Sequence, residues 1–261
     1  PATGDSSKMK KTLLALGLAA VCTTTNAAEI VNTSDLQQGL NLSTQDGNFS
    51  YDLNDDQQTP DETWTFNAAG TGSAVMMFEY AGFANSNIMG IYDLDSGAKL
   101  ELFSGAADAG SKVYLNLNGD TFTTALFDNN FNFMGQNSAD FGGSTAFGFY
   151  LDIPHGNTFY SQAALNGDHD NNGEADDHLA TFQGNGQEFL DSNGDGNYFQ
   201  FNDDNFILAW EDLKFDSSDK DYSDMVVMVT SFVPVTEPGT IALFGLGLAG
   251  LGMARRSQKK A

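Results

Sequence analysis

Oxygen-bearing side chains recur at alternate positions in two short loops, which is the spacing of a cation-binding loop. In residues 168–178 the candidate ligands are Asp168, Asp170, Asn172, Glu174, Asp176 and Asp177. In residues 191–197 they are Asp191, Asn193 and Asp195. Calcium takes about six to eight oxygen ligands, and a glycine after the third one permits the sharp turn that gathers them. We therefore predict Ca2+ as a cofactor of these loops. The alternative is a pair of solvated turns rich in Asp and Asn.

The first loop resembles the start of EF-hand and thrombospondin type 3 loops, in which Asp, Asp and Asn or Asp alternate before a glycine. It departs from the EF-hand pattern at the twelfth position, where Leu179 replaces the bidentate acid. The missing ligand is then expected from another segment or from water. His169 and His178 flank the loop, and together with carboxylates they offer zinc as a less favoured alternative.

A third group of acids follows an apolar run later in the chain. Its members are Glu211, Asp212, Asp219, Asp221 and Asp224. The nearby cations in the sequence, Lys214 and Lys220, cannot neutralise five carboxylates that meet at one edge. Either the carboxylates point apart into water, or a divalent ion gathers them. We predict a calcium-pinned loop at the end of a β-hairpin, with Tyr222, Met225 and Val227 anchoring it in the core.

The sequence around this third group resembles the DUF4114 domain. The matching segments, which include the runs Trp-Glu-Asp-Leu and Asp-Lys-Asp-Tyr-Ser-Asp, are 78–80, 90–95, 147–150, 210–213 and 219–227. The family is a recurrent module of bacterial surface and secreted proteins. Its acidic motif has prompted suggestions of both calcium binding and enzymatic activity. The resemblance therefore implies a kind of domain and leaves its chemistry open.

These loops must be positioned by β structure, because short β-rich runs alternate with Gly, Asn, Asp and Ser along the body of the chain. The predicted strands are 63–67, 73–80, 88–93, 99–103, 112–116, 121–127, 146–152, 206–213 and 225–233. We predict an all-β fold: an antiparallel, jelly-roll-like β-sandwich with long acidic loops, plus an N-terminal signal helix and a short C-terminal hydrophobic helix. The sandwich is expected over 55–234, after a polar lead at 28–54. The 21 phenylalanines are assigned to packing between the sheets.

The charge of the chain is strongly negative, with 35 acidic residues, 11 basic residues and a net charge of −24. Residues 28–237 hold 34 of those acids and only four lysines. A nucleic acid partner is excluded by this balance, since phosphate binding needs a basic face. Adsorption to anionic lipid is disfavoured for the same reason. Cations among the carboxylates would relieve the self-repulsion of such a body.

The first 27 residues have the order of a secretory signal. Met9-Lys10-Lys11 precedes an apolar run, and small residues follow at Ala27 and Ala28. We predict export by the Sec machinery and cleavage after Ala27. Cys22 is the only cysteine, so the mature protein would have none and could not use disulfides for stability. A lipoprotein anchored at Cys22 is the less favoured alternative.

The last 27 residues, 235–261, resemble the PEP-CTERM sorting signal of Gram-negative bacteria. Glu237-Pro238 precedes an apolar stretch at 240–254 and a basic end that begins with Arg255. Thr236 stands where the motif has its first proline. The resemblance implies transient anchoring in the inner membrane through a short helix, recognition by exosortase, removal of the tail, and delivery to the cell surface or the extracellular matrix. Exopolysaccharide and other matrix components are then the expected partners.

The sequence is consistent with three functions. We favour a non-enzymatic, exported cell-surface or extracellular-matrix protein, associated with biofilm or exopolysaccharide, whose β domain is stabilised by calcium. A carbohydrate-binding module or adhesin would be favoured by an exposed Trp or Tyr in a shallow groove. A carboxylate-dependent hydrolase would need two acids about 5–10 Å apart in a cleft. The sequence shows no Ser-His-Asp order, H-E-x-x-H motif or phosphate-binding glycine loop, which ranks the enzyme last.

Overall fold

The computed structural model describes residues 27–67, 70–80, 86–154 and 156–235. The predicted signal helix and the predicted C-terminal hydrophobic helix lie outside the described residues. Within the described ranges, no helix combines the length and apolar composition that crossing a membrane requires.

Strands dominate the regular structure, with 39% of the described residues in strands and 6% in helices. In chain order, the α-helix and the strands are α1 Ser34–Ser43, β1 Trp64–Phe66, β2 Thr71–Phe78, β3 Ile88–Asp93, β4 Lys99–Phe103, β5 Lys112–Asn118, β6 Thr121–Phe127, β7 Phe133–Asp140, β8 Phe147–Asp152, β9 Thr158–Tyr160, β10 Leu179–Gln183, β11 Phe189–Leu190, β12 Phe199–Gln200, β13 Asn205–Trp210, β14 Met225–Thr230 and β15 Phe232–Pro234. A short 3-10 helix, Ala163–Leu165, follows β9.

The strands form two packed sheets and a small ribbon. One sheet has the order β15-β1-β8-β3-β4, with β9 beside β8, and the other has the order β10-β13-β14-β2-β5-β6-β7. Strands β11 and β12 form the ribbon. Every pair of neighbouring strands is antiparallel. The predicted all-β, antiparallel sandwich is confirmed.

Aromatic rings fill much of the space between the sheets. Trp64 is fully buried and meets Phe206 of the opposite sheet edge-to-face, with 5.1 Å between ring centres. Phe147 and Phe232 continue this layer, 5.7 Å apart. Such pairs contribute about 0.5–1.5 kcal/mol each beyond the area they bury. The assignment of phenylalanine to packing between the sheets is confirmed for these residues.

A second core covers the opposite face of part of the larger sheet. Residues 28–53, which include α1, supply Leu36 and Leu40, both fully buried and about one helical turn apart. These leucines share a buried cluster with side chains of β2, β10, β13 and β14. Gly39 allows the helix to approach the sheet, because a Cβ at that position would lie 2.4 Å from Cζ of Phe78. The segment predicted as a polar lead therefore contains a helix and buried residues that the sequence pattern did not predict.

Strands covered on both faces are apolar at consecutive positions rather than at alternate ones. β13 is buried at all six positions and β14 at five of six. Trp210 ends β13 with no exposed surface. This rigid pair of strands carries the third acidic group at its end.

Candidate metal-binding site

The loop 211–224 connects β13 to β14. The two strands form an antiparallel hairpin whose last pair in register is Trp210 with Met225. Across the base of the loop, the N–H of Asp212 donates to the carboxylate of Asp224 at 2.8 Å. The predicted hairpin is confirmed. Its paired strands fix the positions of the first and last acids of the loop.

Tyr222 anchors the middle of this loop. Its side chain is fully buried in the second core, and its hydroxyl donates to the backbone carbonyl of Asp177 in the first acidic loop. Met225 and Val227 are also fully buried, but they lie in the core between the sheets. All three residues are buried as predicted. Tyr222 lies in the second core, whereas Met225 and Val227 lie in the core between the sheets.

The carboxylates of the loop converge in two overlapping groups that share Glu211. One oxygen from each of Glu211, Asp212 and Asp224 lies within 4.8 Å of the others, and the same holds for Glu211, Asp219 and Asp221. We name these five residues the hairpin cluster. The structure therefore brings together all five acids of the third predicted group.

Much of the hairpin cluster is hidden from solvent. Glu211 is 0% exposed, and Asp212 and Asp221 are buried as well. Oε1 of Glu211 accepts the N–H of Leu213 at 3.0 Å. Oε2 of Glu211 is buried and has no hydrogen-bond partner in the described part of the chain. A buried carboxylate oxygen without a donor is costly, so this atom indicates a missing cation or proton.

Two residues from distant parts of the chain complete the site, and the sequence did not identify them as ligands. Asn87, which is buried, donates its Nδ2 hydrogen to Oδ2 of Asp212 at 2.8 Å. Its Oδ1 atom and Oε1 of Glu79 are buried without a hydrogen-bond partner among the described residues. Glu79 directly follows β2 and Asn87 directly precedes β3. The segment 78–80 belongs to the DUF4114 resemblance, and this was the only signal that pointed to Glu79.

Lys220 binds the first acidic loop rather than the hairpin cluster. Its Nζ atom lies 3.0 Å from Oδ2 of Asp170 and 4.3 Å from the centre of the Phe215 ring. Its second carboxylate contact is Glu29, at 4.0 Å. In the part of the chain that the structure describes, no lysine or histidine forms an ion pair with a member of the hairpin cluster.

Burial and mutual repulsion raise the pKa values of these acids. Burial raises the pKa of Glu211 to about 7 and that of Asp224 to about 9, and the charges of Glu211 and Asp212 add to the effect on Asp224. Burial and the charge of Asp212 raise the pKa of Glu79 to about 8. The pKa values of Asp212 and Asp221 are also raised, chiefly by burial. Near neutral pH, several carboxyl groups therefore keep a proton that a divalent cation would displace.

The first predicted calcium loop folds around the carboxylate of Asp168. Its oxygens accept the N–H groups of Asn172, at 3.1 Å, and Gly173, at 3.0 Å. Asn171 and Gly173 both have left-handed backbone conformations, with φ of 60° and 94°. Asp168, Asp170 and Asp176 each bring one oxygen within 4.8 Å of the others.

Two other predicted acidic ligands of this loop, Glu174 and Asp177, do not belong to that group. Asn172 uses its side-chain oxygen to accept the N–H of Glu174 at 2.8 Å, and both residues are exposed. Asp177 interacts electrostatically with Asp61, and burial together with that neighbouring charge raises the pKa of Asp177 well above its ordinary value.

The second predicted loop repeats the same backbone construction around Asp191. The carboxylate of Asp191 accepts the N–H groups of Asp195, at 3.1 Å, and Gly196, at 2.7 Å. Gly194 and Gly196 are left-handed, with φ of 70° and 83°. Asn193 donates its side-chain amide to Oδ2 of Asp195 at 2.9 Å. Among the described residues of this loop, no group of three acidic or histidine side chains converges as in the other two motifs.

Comparison with known proteins places the chain among exported proteins. Residues 234–257 match the PEP-CTERM protein-sorting motif. No curated protein matches the chain. The motif marks proteins that exosortase recognises and that cross the inner membrane of Gram-negative bacteria to the cell surface or extracellular space. The protein is therefore an exported, exosortase-sorted protein with a β-sandwich body.

Proposed function

We propose that this protein is a non-enzymatic component of the cell surface or extracellular matrix whose β-sandwich is stabilised by Ca2+ at the hairpin cluster. The observation that supports this function most strongly is the buried Oε2 atom of Glu211, which lies beside four other carboxylates and has neither a hydrogen-bond partner nor a paired cation among the described residues. Export and surface delivery follow from the sorting motif. At the surface, the calcium-bound protein would associate with matrix polysaccharide or biofilm.

The donor set suits calcium. Every candidate ligand at the hairpin cluster is an oxygen, and hard divalent cations with flexible coordination prefer such sets. Glu79 and Asn87 add two more buried oxygens that lack donors. A bound Ca2+ would join the ends of β13 and β14 to the segments around β2 and β3, and its charge would offset the repulsion among the acids.

A structural role accounts for this burial better than a catalytic one. A hydrolase that uses two carboxylates must expose both to a substrate in a cleft. Glu211, which belongs to both carboxylate groups, has no exposed surface. The resemblance to DUF4114 supports a surface or secreted location and leaves the chemistry of the domain open.

Isothermal titration of the purified protein with Ca2+ tests the proposal. Glu211→Gln keeps the shape of the protonated acid and removes the charge, so the fold should persist. We expect this variant to bind one calcium ion fewer per chain, or to bind it about tenfold or more weakly. Asp203→Asn, an exposed acid outside the cluster, is the matched control and should bind as the wild type does. Equal stoichiometry and affinity in the wild type and Glu211→Gln would refute the site.

A second candidate function is glycan binding, favoured by a groove on the larger sheet. The groove has a volume of about 660 Å³ and lies on the face of β2, β5, β6 and β7 that points away from the other sheet. Tyr114 lines it and is 45% exposed. The amide and hydroxyl side chains that line it include Asn116, Thr123, Gln136, Asn137 and Ser138.

Exposed rings continue from this groove. The ring centres of Tyr114 and Phe127 are 5.7 Å apart, and Phe127 stacks on Phe131 at 4.8 Å. Phe131 and Phe133 are 57% and 58% exposed. An aromatic platform beside amides and hydroxyls suits sugar rings, which have apolar faces and polar edges. Both tryptophans are buried, so Tyr114 would provide the stacking surface in the groove.

Affinity electrophoresis in gels that contain alginate, dextran or xanthan tests this second function. We expect retardation of the wild type in at least one gel and loss of that retardation in Tyr114→Ala. Tyr198→Ala, which alters another exposed tyrosine, is the matched control. Equal mobility of the wild type and Tyr114→Ala in every gel would contradict glycan binding at this groove.

A further inference from the structure

We infer that His169, Asp176 and His178 form a second metal site, specific for a transition metal such as Zn2+. One atom from each residue lies within 4.8 Å of the others. Nδ1 of His169 is 2.6 Å from Oδ2 of Asp176, and Nε2 of His178 is 3.9 Å from the same oxygen. This site differs from the calcium site proposed above in its ion and in its residues.

The environment of His178 resembles that of a metal ligand. Its side chain is fully buried, and its Nδ1 atom lies 3.0 Å from the backbone carbonyl oxygen of Glu211. A carbonyl oxygen can only accept, so Nδ1 carries the proton and Nε2 presents a lone pair. Nε2 is buried, and no described residue forms a hydrogen bond with it. Metal-ligating histidines usually donate their other ring N–H to a carbonyl or carboxylate in this way.

Packing holds this imidazole in place. The ring of Phe159 stacks on His178 with 3.7 Å between ring centres, and Phe215 lies at 4.7 Å on a tilted plane. A side chain held in this way loses little further conformational freedom when it binds an ion, which favours affinity.

Asp176 and His169 complete the donor set. The Asp176 side chain is fully buried, and its two oxygens accept the backbone N–H of His169 at 3.2 and 3.3 Å. The His169 side chain is 25% exposed, which leaves a path for the ion and a place for water. Two imidazoles, one carboxylate and one water form a donor set that zinc accepts, whereas calcium prefers oxygen ligands alone.

Zinc titration in the presence of saturating Ca2+ tests this inference on the purified protein. We expect one Zn2+ per chain, and visible absorption bands of a low-symmetry site when Co2+ is used as a probe. His169→Gln, on the exposed side of the site, should weaken Zn2+ binding at least tenfold and remove those bands. His178→Gln should have the same effect if the protein still folds. Wild-type protein that binds no Zn2+, or His169→Gln that binds it equally well, would overturn the inference.

One further variant separates this inference from the calcium proposal. Asp219→Asn alters the hairpin cluster and leaves both histidines and Asp176 in place. It should weaken calcium binding and leave zinc affinity within twofold of the wild-type value. Loss of both metals in Asp219→Asn would contradict two separate sites. Zinc binding without any calcium binding would refute the proposed function alone.

Discussion

The backbone carbonyl of Glu211 accepts a hydrogen bond from Nδ1 of His178, which is fully buried. The side chain of the same glutamate belongs to both carboxylate groups at the end of the β13–β14 hairpin. One residue therefore connects the hairpin cluster to the first acidic loop. Tyr222 makes a second connection through its hydroxyl and the carbonyl of Asp177. Two hydrogen bonds therefore join the first acidic loop to the loop 211–224 at this end of the sandwich.

Removing three of the carboxylates should reduce calcium-dependent stability. We expect the triple variant Asp219→Asn, Asp221→Asn and Asp224→Asn to melt roughly 5–10 °C below the wild type in saturating Ca2+, because a ligand at about 100 times its Kd adds about 2.7 kcal/mol. In EGTA the variant should melt at or above the wild type, since fewer buried charges repel one another. Differential scanning calorimetry measures both states. An unchanged melting temperature together with unchanged calcium stoichiometry would contradict this prediction.

The stability of the calcium-free protein should fall as the pH rises from 7 to 9. The folded-state pKa values of Glu79 and Asp224 are raised to about 8 and 9, above their ordinary values, so the folded protein holds more protons than the unfolded chain in this window. Stability falls with pH wherever the folded state binds more protons. Burial lowers the pKa of His178 to about 3, so His178 stays neutral in both states above pH 7 and contributes little.

Urea unfolding in EGTA at pH 7, 8 and 9 measures this dependence. The variant that combines Glu79→Gln with Asp224→Asn should show a smaller decrease, whereas Asp203→Asn should retain the wild-type decrease. A free energy of unfolding that is constant or rises over this range would show that these carboxyl groups do not hold protons at neutral pH.

The helix α1 should be an integral part of the sandwich. Leu40 is fully buried against the larger sheet, whereas Leu42 on the same helix is 72% exposed. Leu40→Ala should lower the free energy of unfolding by about 2–5 kcal/mol. Leu42→Ala, the matched control, should change it by about 0.5 kcal/mol or less. Chemical denaturation measures the difference, and equal stabilities of the two variants would contradict the packing of the helix.

Exosortase should remove the C-terminal tail. We expect the protein from an exosortase-positive host to end near Pro238, which intact-mass spectrometry reports directly. The same gene in a host that lacks exosortase should yield protein with the tail attached. A mass that still includes 255–261 in the first host would contradict processing.

The sequence predicted both strands with alternating burial, such as β6, and strands with nearly continuous burial, such as β3. The predictions for β3, β4 and β6 coincide with the observed bounds at both ends. β7 was missed because it lies at the edge of its sheet and is largely exposed, so its residues show no apolar alternation. β10 was missed because its sequence, Leu-Ala-Thr-Phe-Gln, has neither the apolar–polar alternation of β4 nor the two isoleucines of β3. α1 was missed because Leu36, Gly39 and Leu40 are its only buried residues.

The candidate site was partly visible in the sequence. The spacing from Glu211 to Asp224 predicted a hairpin loop, and the structure places the five acids of that loop together. Asn87 and Glu79 contribute from positions more than a hundred residues earlier in the chain, so local spacing cannot reveal them. Asp177 matched the pattern of the first loop but lies beside Asp61 instead. Which acids converge depends on how the strands pair, and that information is not local.

A thermal melt of the purified protein in EGTA, with Ca2+ added stepwise and Mg2+ as the control, tests the calcium site most directly. Calcium bound only by the folded state should raise the melting temperature in a selective and saturable way, by RT ln(1 + [L]/Kd) at each concentration. Glu211→Gln should lose most of this rise, and Asp203→Asn should keep it. A shift of equal size with Mg2+, or no shift with either ion, would contradict a calcium-stabilised sandwich.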